Sequence, residues 1–148
     1  MLFFLAVSFL LTALDFAAKK WAIAALSAGQ EITLIPQFLK LIYSENTGAA
    51  FGIFPAGRWF LVAVGVIVLL GSLWFIKKER SRSRWQYNGL IFIFAGALGN
   101  LIDRVFYGYV IDFISLPYFP IFNLADVFID IGVACLIIYL LTATGKGD

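Results

Sequence analysis

Four aspartates between residues 103 and 130, namely Asp103, Asp112, Asp126 and Asp130, are the side chains best suited to chemistry. Asn123, Asp126 and Asp130 are spaced i, i+3 and i+7, which places them on one face of a helix. Two carboxylates that share a site hold one proton between them, so one can act as a general acid and the other as a general base. On spacing alone, a catalytic carboxylate pair, an ion pathway and a structural polar network all remain open.

Histidine and cysteine are too scarce to supply other kinds of site. The 148 residues contain no histidine and one cysteine, Cys135. Ser-His-Asp triads and histidine-ligated metal sites are therefore excluded, as are an internal disulfide and a thiolate cluster. Cys135 itself is typical of a small core residue. If the chain is an enzyme, its proton chemistry must use Asp, Glu, Lys, Arg or Tyr side chains.

The composition places these acids in a membrane protein. Hydrophobic residues make up 62% of the chain and charged residues 14%, whereas about 25% of a typical soluble domain is charged. Four apolar stretches, residues 2–26, 59–76, 85–102 and 121–142, approach the roughly 20 residues that a transmembrane helix needs. Because backbone groups in hydrocarbon must bond within their own segment, we predict four transmembrane helices in one integral membrane domain, residues 1–148.

The first stretch is expected to be a retained helix rather than a cleaved signal peptide. No Lys or Arg precedes its apolar run, and Asp15, Lys19 and Lys20 lie within it. Asp15 and Lys19 are spaced i, i+4 with the acid first, which favours a structural ion pair over a catalytic role. In the third stretch, Gly96 and Gly99 favour close packing of helices.

The charges of the connections predict the orientation in the membrane. Residues 77–84 carry five cations and one anion. The positive-inside rule places this loop in the cytoplasm, so both termini face the cytoplasm and residues 27–58 and 103–120 lie outside. Such a basic loop is typical of a topology signal next to anionic lipid. Since no aromatic residue interleaves with its cations, we expect no nucleic-acid partner.

The outer connections are predicted to be structured. Residues 32–43 are rich in β-branched and aromatic side chains and predict a short hairpin or small sheet, in which Pro36 marks a turn or an edge. Residues 106–122 contain seven aromatic side chains and are predicted to lie along the outer interface. For these rings, an aromatic belt and a contact surface for substrate remain equally open.

This orientation brings three of the acids to one depth. Asp103 ends the third stretch, Asp126 opens the fourth, and Asp112 lies between them, while Asp130 lies one turn deeper. An acid at the centre of a membrane helix costs about 2.5–3.5 kcal/mol to insert, so acids in such helices are functional candidates by default. Their convergence on one layer favours a site over a scattered set of topology signals.

Five short sequence blocks that contain most of these polar residues follow one another along the chain. They are Asp-Phe-Ala-Ala-Lys at 15–19, Glu-Asn-Thr-Gly-Ala-Ala-Phe at 45–51, Gly-Ala-Leu-Gly-Asn-Leu-Ile-Asp-Arg at 96–104, Val-Ile-Asp-Phe at 110–113 and Phe-Asn-Leu-Ala-Asp at 122–126. In content and order these blocks resemble the type II (lipoprotein) signal peptidases of bacteria, over about three-quarters of the chain. Asp130 departs from that pattern, because we expect an apolar residue at its position.

The resemblance implies an intramembrane aspartyl endopeptidase that uses no metal and no cofactor. Asp112 and Asp126 match the catalytic pair of the family. The supporting or substrate-binding residues that the resemblance implies are Asn46, Gly48, Asn100, Asp103, Arg104, Asn123, Asp15 and Lys19. It also implies a membrane α-helical fold of four helices with a small extracytoplasmic sheet that cradles the substrate, in agreement with the hairpin predicted from the residues.

The implied substrates are prolipoproteins, cut immediately before the cysteine that carries a diacylglyceryl group. The expected setting is the bacterial cytoplasmic (inner) membrane, which the chain crosses several times among membrane lipids, with the active site facing the outer leaflet. We expect a monomer. Two other classes remain as alternatives. A small proton-coupled transporter would place its binding site near the bilayer midplane, and a non-catalytic assembly subunit would use its polar stripe to join helices.

Overall fold

The computed structural model describes residues 1–48, 57–78 and 83–144. Its elements in chain order are α1 (Leu2–Leu26), β1 (Glu31–Ile35), β2 (Leu39–Asn46), α2 (Arg58–Lys78), α3 (Arg84–Phe106), β3 (Val110–Ser115) and α4 (Leu124–Thr144). Within these ranges, four helices are long and apolar enough to cross a membrane, and three strands form one antiparallel sheet. The predicted fold class is confirmed. Residues 49–51 of the second block and 79–82 of the basic loop lie outside the described residues.

α3 lies at the centre of the bundle, in contact with α1, α2 and α4. Its glycines allow the close packing predicted for Gly96 and Gly99. A Cβ atom added at Gly96 would overlap the carbonyl oxygen of Ala125 in α4, and one added at Gly99 would lie 2.6 Å from Oδ2 of Asp15 in α1. Gly96 therefore lets α4 approach α3 to a distance that only glycine permits, and Gly99 leaves room for the buried carboxylate of Asp15.

Gly96→Ala is expected to destabilise the fold by about 1–3 kcal/mol, because the backbone of α4 must move to admit the new methyl group. Gly71→Ala is the matched control, since a Cβ atom added there has no atom within 4 Å. It is expected to leave stability equal or slightly higher, because alanine is the better helix former. Thermal unfolding in detergent micelles compares the two variants, and equal melting temperatures would contradict the close approach of α3 and α4.

Arg58 connects the start of α2 to the end of α3. Its Nε donates to the carbonyl oxygen of Arg104 at 2.8 Å, and its Nη2 donates to that of Val105 at 3.0 Å. Carbonyl groups in the last turn of a helix have no partner within the helix, so an arginine from a neighbouring element can satisfy them. Arg58 thereby fixes the helix end that carries Asp103 and Arg104.

The sheet places β2 between β1 and β3. β1 and β2 form the predicted hairpin, whose turn includes Gln37 in the left-handed region with φ 61°. The register of β2 and β3 pairs Ser44 with Asp112 and Asn46 with Val110. Asn46 and Asp112 are therefore diagonal neighbours across the two strands, within reach of each other's side chains.

The segment 106–122, predicted to lie along the interface, contains a strand over Val110–Ser115, which the sequence did not predict. Its backbone groups find partners on the edge of β2, which the aromatic content of the segment does not reveal. Phe122 then pairs with Ile114 through N–H···O bonds of 2.8 and 3.0 Å. Because this pairing holds the chain extended, α4 begins at Leu124 rather than at 121. α3 extends to Phe106, four residues beyond the predicted end at 102.

Candidate active site

Asp112 lies in β3 with 2% of its surface exposed. Its Oδ1 accepts a hydrogen bond from Nδ2 of Asn123 at 2.6 Å, and its Oδ2 accepts one from Nδ2 of Asn46 at 2.9 Å. The register of the sheet supplies Asn46, and the residue before α4 supplies Asn123. Neutral amides thus bond to both carboxylate oxygens, and they orient the group without neutralising it.

Asp126 is half-buried in the first turn of α4, and Asn123 connects it to Asp112. Oδ1 of Asn123 accepts from the backbone N–H of Asp126 at 3.0 Å, and Oδ2 of Asp126 accepts from the backbone N–H of Asn123 at 3.2 Å. This reciprocal pattern is a capping box, with Asn123 at the N-cap of the helix and Asp126 at its third position. The residue that holds Asp112 by its side-chain amide therefore also fixes the conformation of Asp126.

Burial raises the pKa of Asp112 from its ordinary value of 3.8 to about 6. Loss of solvation disfavours the charged form and is the largest cause. The hydrogen bond from Asn46 lowers the pKa, whereas the negative charge of Asp126 raises it. The effect of Asp126 means that the two carboxylates are electrostatically coupled, as expected of a pair that shares a site.

The raised pKa makes Asp112 a source of pH-dependent stability. Between about pH 4 and pH 6 the folded state binds a proton at this position more tightly than the unfolded state does, so the stabilisation is complete below about pH 4 and is lost as the pH rises through about 6. Over this interval we expect the free energy of unfolding to fall more in the wild type than in Asp112→Asn, by up to about 3 kcal/mol. Thermal unfolding in detergent across the interval measures both curves, and parallel curves would contradict the shift.

Lys19 of α1 is the centre of a buried ionic cluster. Its Nζ lies 2.8 Å from Oδ2 of Asp15 and 2.8 Å from Oδ2 of Asp103, and all three side chains are at most 2% exposed. Oδ1 of Asp15 accepts from the backbone N–H of Ala125 at 2.9 Å, and Oδ2 of Asp103 accepts from that of Ile111 at 3.2 Å. The cluster therefore joins α1 and α3 to the start of α4 and to β3, the two elements that carry Asp126 and Asp112.

Asn100 of α3 connects this ionic cluster to the aspartate pair by hydrogen bonds. Its Oδ1 accepts from Nζ of Lys19 at 3.2 Å and from Nδ2 of Asn123 at 3.2 Å. Since two donors occupy the oxygen side of the amide, its nitrogen side must face the other way, where Nδ2 donates to Oδ1 of Asp126 at 2.8 Å. Lys19 thus determines which end of the Asn100 amide points at Asp126.

Arg104 and Gly48 are the remaining members of this hydrogen-bonded network, on the side of β2. Nη1 of Arg104 donates to the carbonyl oxygen of Asn100, and Nη2 donates to that of Gly48, both at 3.4 Å. The backbone N–H of Gly48 donates to Oδ1 of Asn46 at 3.1 Å. These contacts place a guanidinium beside the aspartate pair and orient the amide of Asn46 so that its nitrogen faces Asp112.

Two cavities meet at Asp126. The first, about 430 Å³, lies beneath the segment that follows β3, and the second, about 490 Å³, lies among α2, α3 and α4. Asn100, Arg104, Asp126 and Ile129 line both of them. The side chains beside these in the first cavity include Asn46, Phe119, Phe122 and Asp130, whereas those of the second are mostly aliphatic, such as Leu61, Val68 and Val133. A substrate with both peptide and hydrocarbon parts would find room on either side of Asp126.

One continuous path of hydrogen bonds and ion pairs connects all the site residues predicted from the sequence. They are Asp15, Lys19, Asn46, Gly48, Asn100, Asp103, Arg104, Asp112, Asn123 and Asp126. The structural ion pair expected for Asp15 and Lys19 is present, with Asp103 as a third member. The sequence analysis did not predict the role of Arg58 in fixing the end of α3. The only signal in the sequence is a single cation at the start of an apolar run.

Comparison with known proteins identifies the family to which this arrangement belongs. Residues 7–142 match the family described as signal peptidase (SPase) II. A lipoprotein signal peptidase of Clostridium novyi is 44% identical over 133 residues, which cover 86% of this chain and 90% of that protein. One of Clostridium tetani is 40% identical over 140 residues, covering 91% and 90%.

Solved structures show the same fold. A bacterial membrane enzyme determined by the in meso method at 2.3 Å resolution superposes with a TM-score of 0.90 at 33% identity, covering 100% of this chain and 93% of that one. A second, at 1.9 Å resolution, has a TM-score of 0.86 at 32% identity, with coverage of 100% and 96%. By sequence and by fold, this chain belongs to the signal peptidase II family.

Proposed function

We propose that this protein removes signal peptides from prolipoproteins, cutting immediately before the diacylglyceryl-modified cysteine, with Asp112 and Asp126 as the acid–base pair. The observation that carries the proposal is the position of Asn123, which bonds to both aspartates and holds them in one site. Membership of a signal peptidase family and the names of the relatives support the reaction. The reaction needs only these carboxylates and water.

In the first step of the proposed reaction, a water molecule attacks the scissile carbonyl carbon. The ionised aspartate accepts a proton from this water, and the protonated aspartate donates its proton to the carbonyl oxygen. The product is a tetrahedral diol, and the two aspartates have exchanged protonation states. Arg104, which lines both cavities beside Asp126, is placed to stabilise the charge that develops on the oxygen.

In the second step, the aspartate that gained the proton gives it to the leaving amide nitrogen as the carbon–nitrogen bond breaks. The other aspartate takes a proton from one hydroxyl group of the diol, which becomes a carboxylic acid. The pair then holds one proton as it did at the start, so no other acid or base is required. The amides of Asn46, Asn100 and Asn123 keep both carboxylates oriented through this exchange.

We further propose the setting in which this reaction takes place. The chain lies in the bacterial cytoplasmic membrane with both termini in the cytoplasm, and the sheet and aspartate pair lie at the outer leaflet, as the basic loop at 77–84 favours. Membrane lipids surround the four helices, and a substrate anchored by its acyl chains reaches the pair at the same depth, which reduces the entropic cost of positioning it. A monomer suffices, because every residue of the proposed site comes from one chain.

The test is cleavage by purified protein in lipid vesicles. Two precursors of identical sequence are compared, one with the diacylglyceryl group on its cysteine and one without it. We expect the modified precursor alone to be cut, with a product whose first residue is the modified cysteine by mass spectrometry. Cleavage at another bond, or no cleavage of either precursor, would overturn the proposal.

Proton flux in the same vesicles and function in cells discriminate the two other classes that the sequence left open. The relatives give no support to a proton-coupled transporter, which would show substrate-dependent proton flux without peptide cleavage. A non-catalytic assembly subunit would retain full function in cells after replacement of Asp112. Neither outcome is compatible with Asp112 as one half of a catalytic pair.

A further inference from the structure

Arg58 is a cation near the proposed site to which the reaction described above gives no role. It is half-buried at the start of α2, and it is not among the described residues that line the two cavities. Its Nε and Nη2 donate to the carbonyl oxygens of Arg104 and Val105 in the last turn of α3. Because Arg58 does not line the cavities, its effect on the reaction must pass through the helix end that it holds.

The last turn of α3 depends on Arg58 for partners of its carbonyl groups. The carbonyl oxygen of Asp103 accepts from two backbone N–H groups of the turn that follows the helix, at 2.8 and 3.3 Å. Those of Arg104 and Val105 accept from Arg58 instead, at 2.8 and 3.0 Å. A planar guanidinium presents its N–H groups in a fixed geometry, so one side chain holds both carbonyl groups. Loss of this side chain would loosen the last turn.

The guanidinium of Arg58 is itself held by two further contacts. Its central carbon lies 4.9 Å from the centre of the Trp59 ring. A Cβ atom added at Gly108 would lie 3.3 Å from its Nη1, so the turn that leads from α3 to β3 packs directly on the guanidinium. Arg58 therefore has a fixed position from which it can fix the end of α3.

Arg104 and Asp103 share this last turn, but their side chains are held with different strength. Oδ2 of Asp103 bonds to Nζ of Lys19 at 2.8 Å and to the N–H of Ile111 at 3.2 Å, so α1 and β3 both hold it. The guanidinium of Arg104 makes two bonds of 3.4 Å to backbone carbonyl oxygens. These bonds are longer than the usual range of about 2.7–3.2 Å. A loosened last turn should therefore displace Arg104 and leave Asp103 in place.

We infer that Arg58 is a positioning residue of the proposed reaction: it fixes the backbone of Arg104, so that the guanidinium of Arg104 meets the oxygen on which charge develops. This inference rests on the proposed function, in which Arg104 stabilises that charge. Such stabilisation is effective only when the donor is in place before the reaction begins. Arg58 supplies this preorganisation from outside the cavities, so it acts on the transition state and leaves binding of the precursor unchanged.

The test is a double-mutant cycle on Arg58 and Arg104, with cleavage of the lipidated precursor as the measurement. Arg104→Met is expected to lower kcat by about 10²-fold, as removal of one donor to a developing charge does. Arg58→Met is expected to lower kcat by about tenfold and to leave KM unchanged. Added to Arg104→Met, it should change kcat by less than about twofold, because the guanidinium through which it acts is already absent.

Arg58→Lys and Lys20→Met are the controls. Arg58→Lys keeps a cation with N–H donors at the helix end, and we expect its kcat to lie within about threefold of the wild type. Lys20 is also a cation near the end of α3, but its Nζ bonds to the hydroxyl group of Tyr107 and not to a carbonyl group of the helix. Lys20→Met should cleave at the wild-type rate, and equal losses in Lys20→Met and Arg58→Met would overturn the inference.

The cycle separates the role of Arg58 from the proposed function. An unchanged kcat in Arg58→Met, or an equal fold loss with and without Arg104, would overturn the role of Arg58 and leave the proposed function standing. If Arg58→Met does not fold, Arg58→Gln, whose amide can satisfy one carbonyl group, replaces it under the same two criteria. If the wild type cleaves no precursor, the proposed function fails and this inference fails with it.

Discussion

Lys19→Met is expected to lower the free energy of unfolding by about 3–5 kcal/mol, because it leaves the carboxylates of Asp15 and Asp103 buried without a countercharge. Both acids also accept hydrogen bonds from the backbone of the elements that carry the aspartate pair. We therefore expect the substitution to disturb the positions of Asp112 and Asp126 as well. Thermal unfolding in detergent micelles measures the effect.

Lys20→Met is the matched control for this loss. Lys20 is the next residue along α1, but its side chain is exposed and its Nζ bonds to the hydroxyl group of Tyr107 at 2.7 Å. We expect a cost of about 1 kcal/mol or less. Adding Asp103→Asn to Lys19→Met should recover part of the loss, since one uncompensated charge is removed. Similar stabilities for the two lysine variants would contradict the buried cluster.

Asp112→Asn and Asp126→Asn are each expected to lower kcat by about 10⁴-fold, with little change in KM. An amide of the same shape can neither accept nor release a proton in these steps. In the proposed reaction one aspartate takes the proton from water and returns it to the leaving nitrogen, and the other donates a proton to the carbonyl oxygen and recovers one from the diol. Release of signal peptide from a lipidated precursor under saturating conditions measures the effect.

Glu31→Gln is the control for removal of a carboxylate. Glu31 lies in β1 and pairs with Lys40 at 3.0 Å on the exposed side of the sheet, away from the cavities that meet at Asp126. We expect it to cleave at the wild-type rate. The melting temperatures of all three variants establish that they are folded. If both single aspartate variants retain kcat within about tenfold of the wild type, the pair does not carry the reaction.

The helices could be predicted from the sequence because they depend on local patterns. A long apolar run in a chain of this composition is a membrane helix whatever its neighbours are. The ion pair of Asp15 and Lys19 is likewise visible as an i, i+4 spacing. These features require no knowledge of how distant segments pack.

The arrangement inside the site could not be predicted in the same way. That Asn46 bonds to Asp112 depends on the register of β2 against β3, and the sequence did not reveal β3 as a strand. That Asp103 joins Lys19 depends on how α3 rotates against α1, which glycine at position 99 permits but does not specify. Long-range register and helix rotation are fixed by the whole fold, so no short stretch of sequence encodes them.

The different surroundings of the two aspartates could not be predicted from the sequence either. Asp112 and Asp126 differ in their surroundings, since the first is nearly buried in a strand and the second faces two cavities from a helix. Their spacing in the sequence does not predict this difference in surroundings. Asn123 lies between the two surroundings, since its side chain bonds to Asp112 in β3 and also caps the helix α4 that carries Asp126.

The pH dependence of kcat/KM for cleavage of the lipidated precursor shows whether Asp112 and Asp126 act with one proton between them. We expect a bell-shaped profile between about pH 4 and pH 9. Its acidic limb appears where the ionised member of the pair gains a proton, and its alkaline limb appears where the shared proton is lost. A value of kcat/KM that only rises, only falls or stays level across this range would show that the two aspartates do not share a catalytic proton.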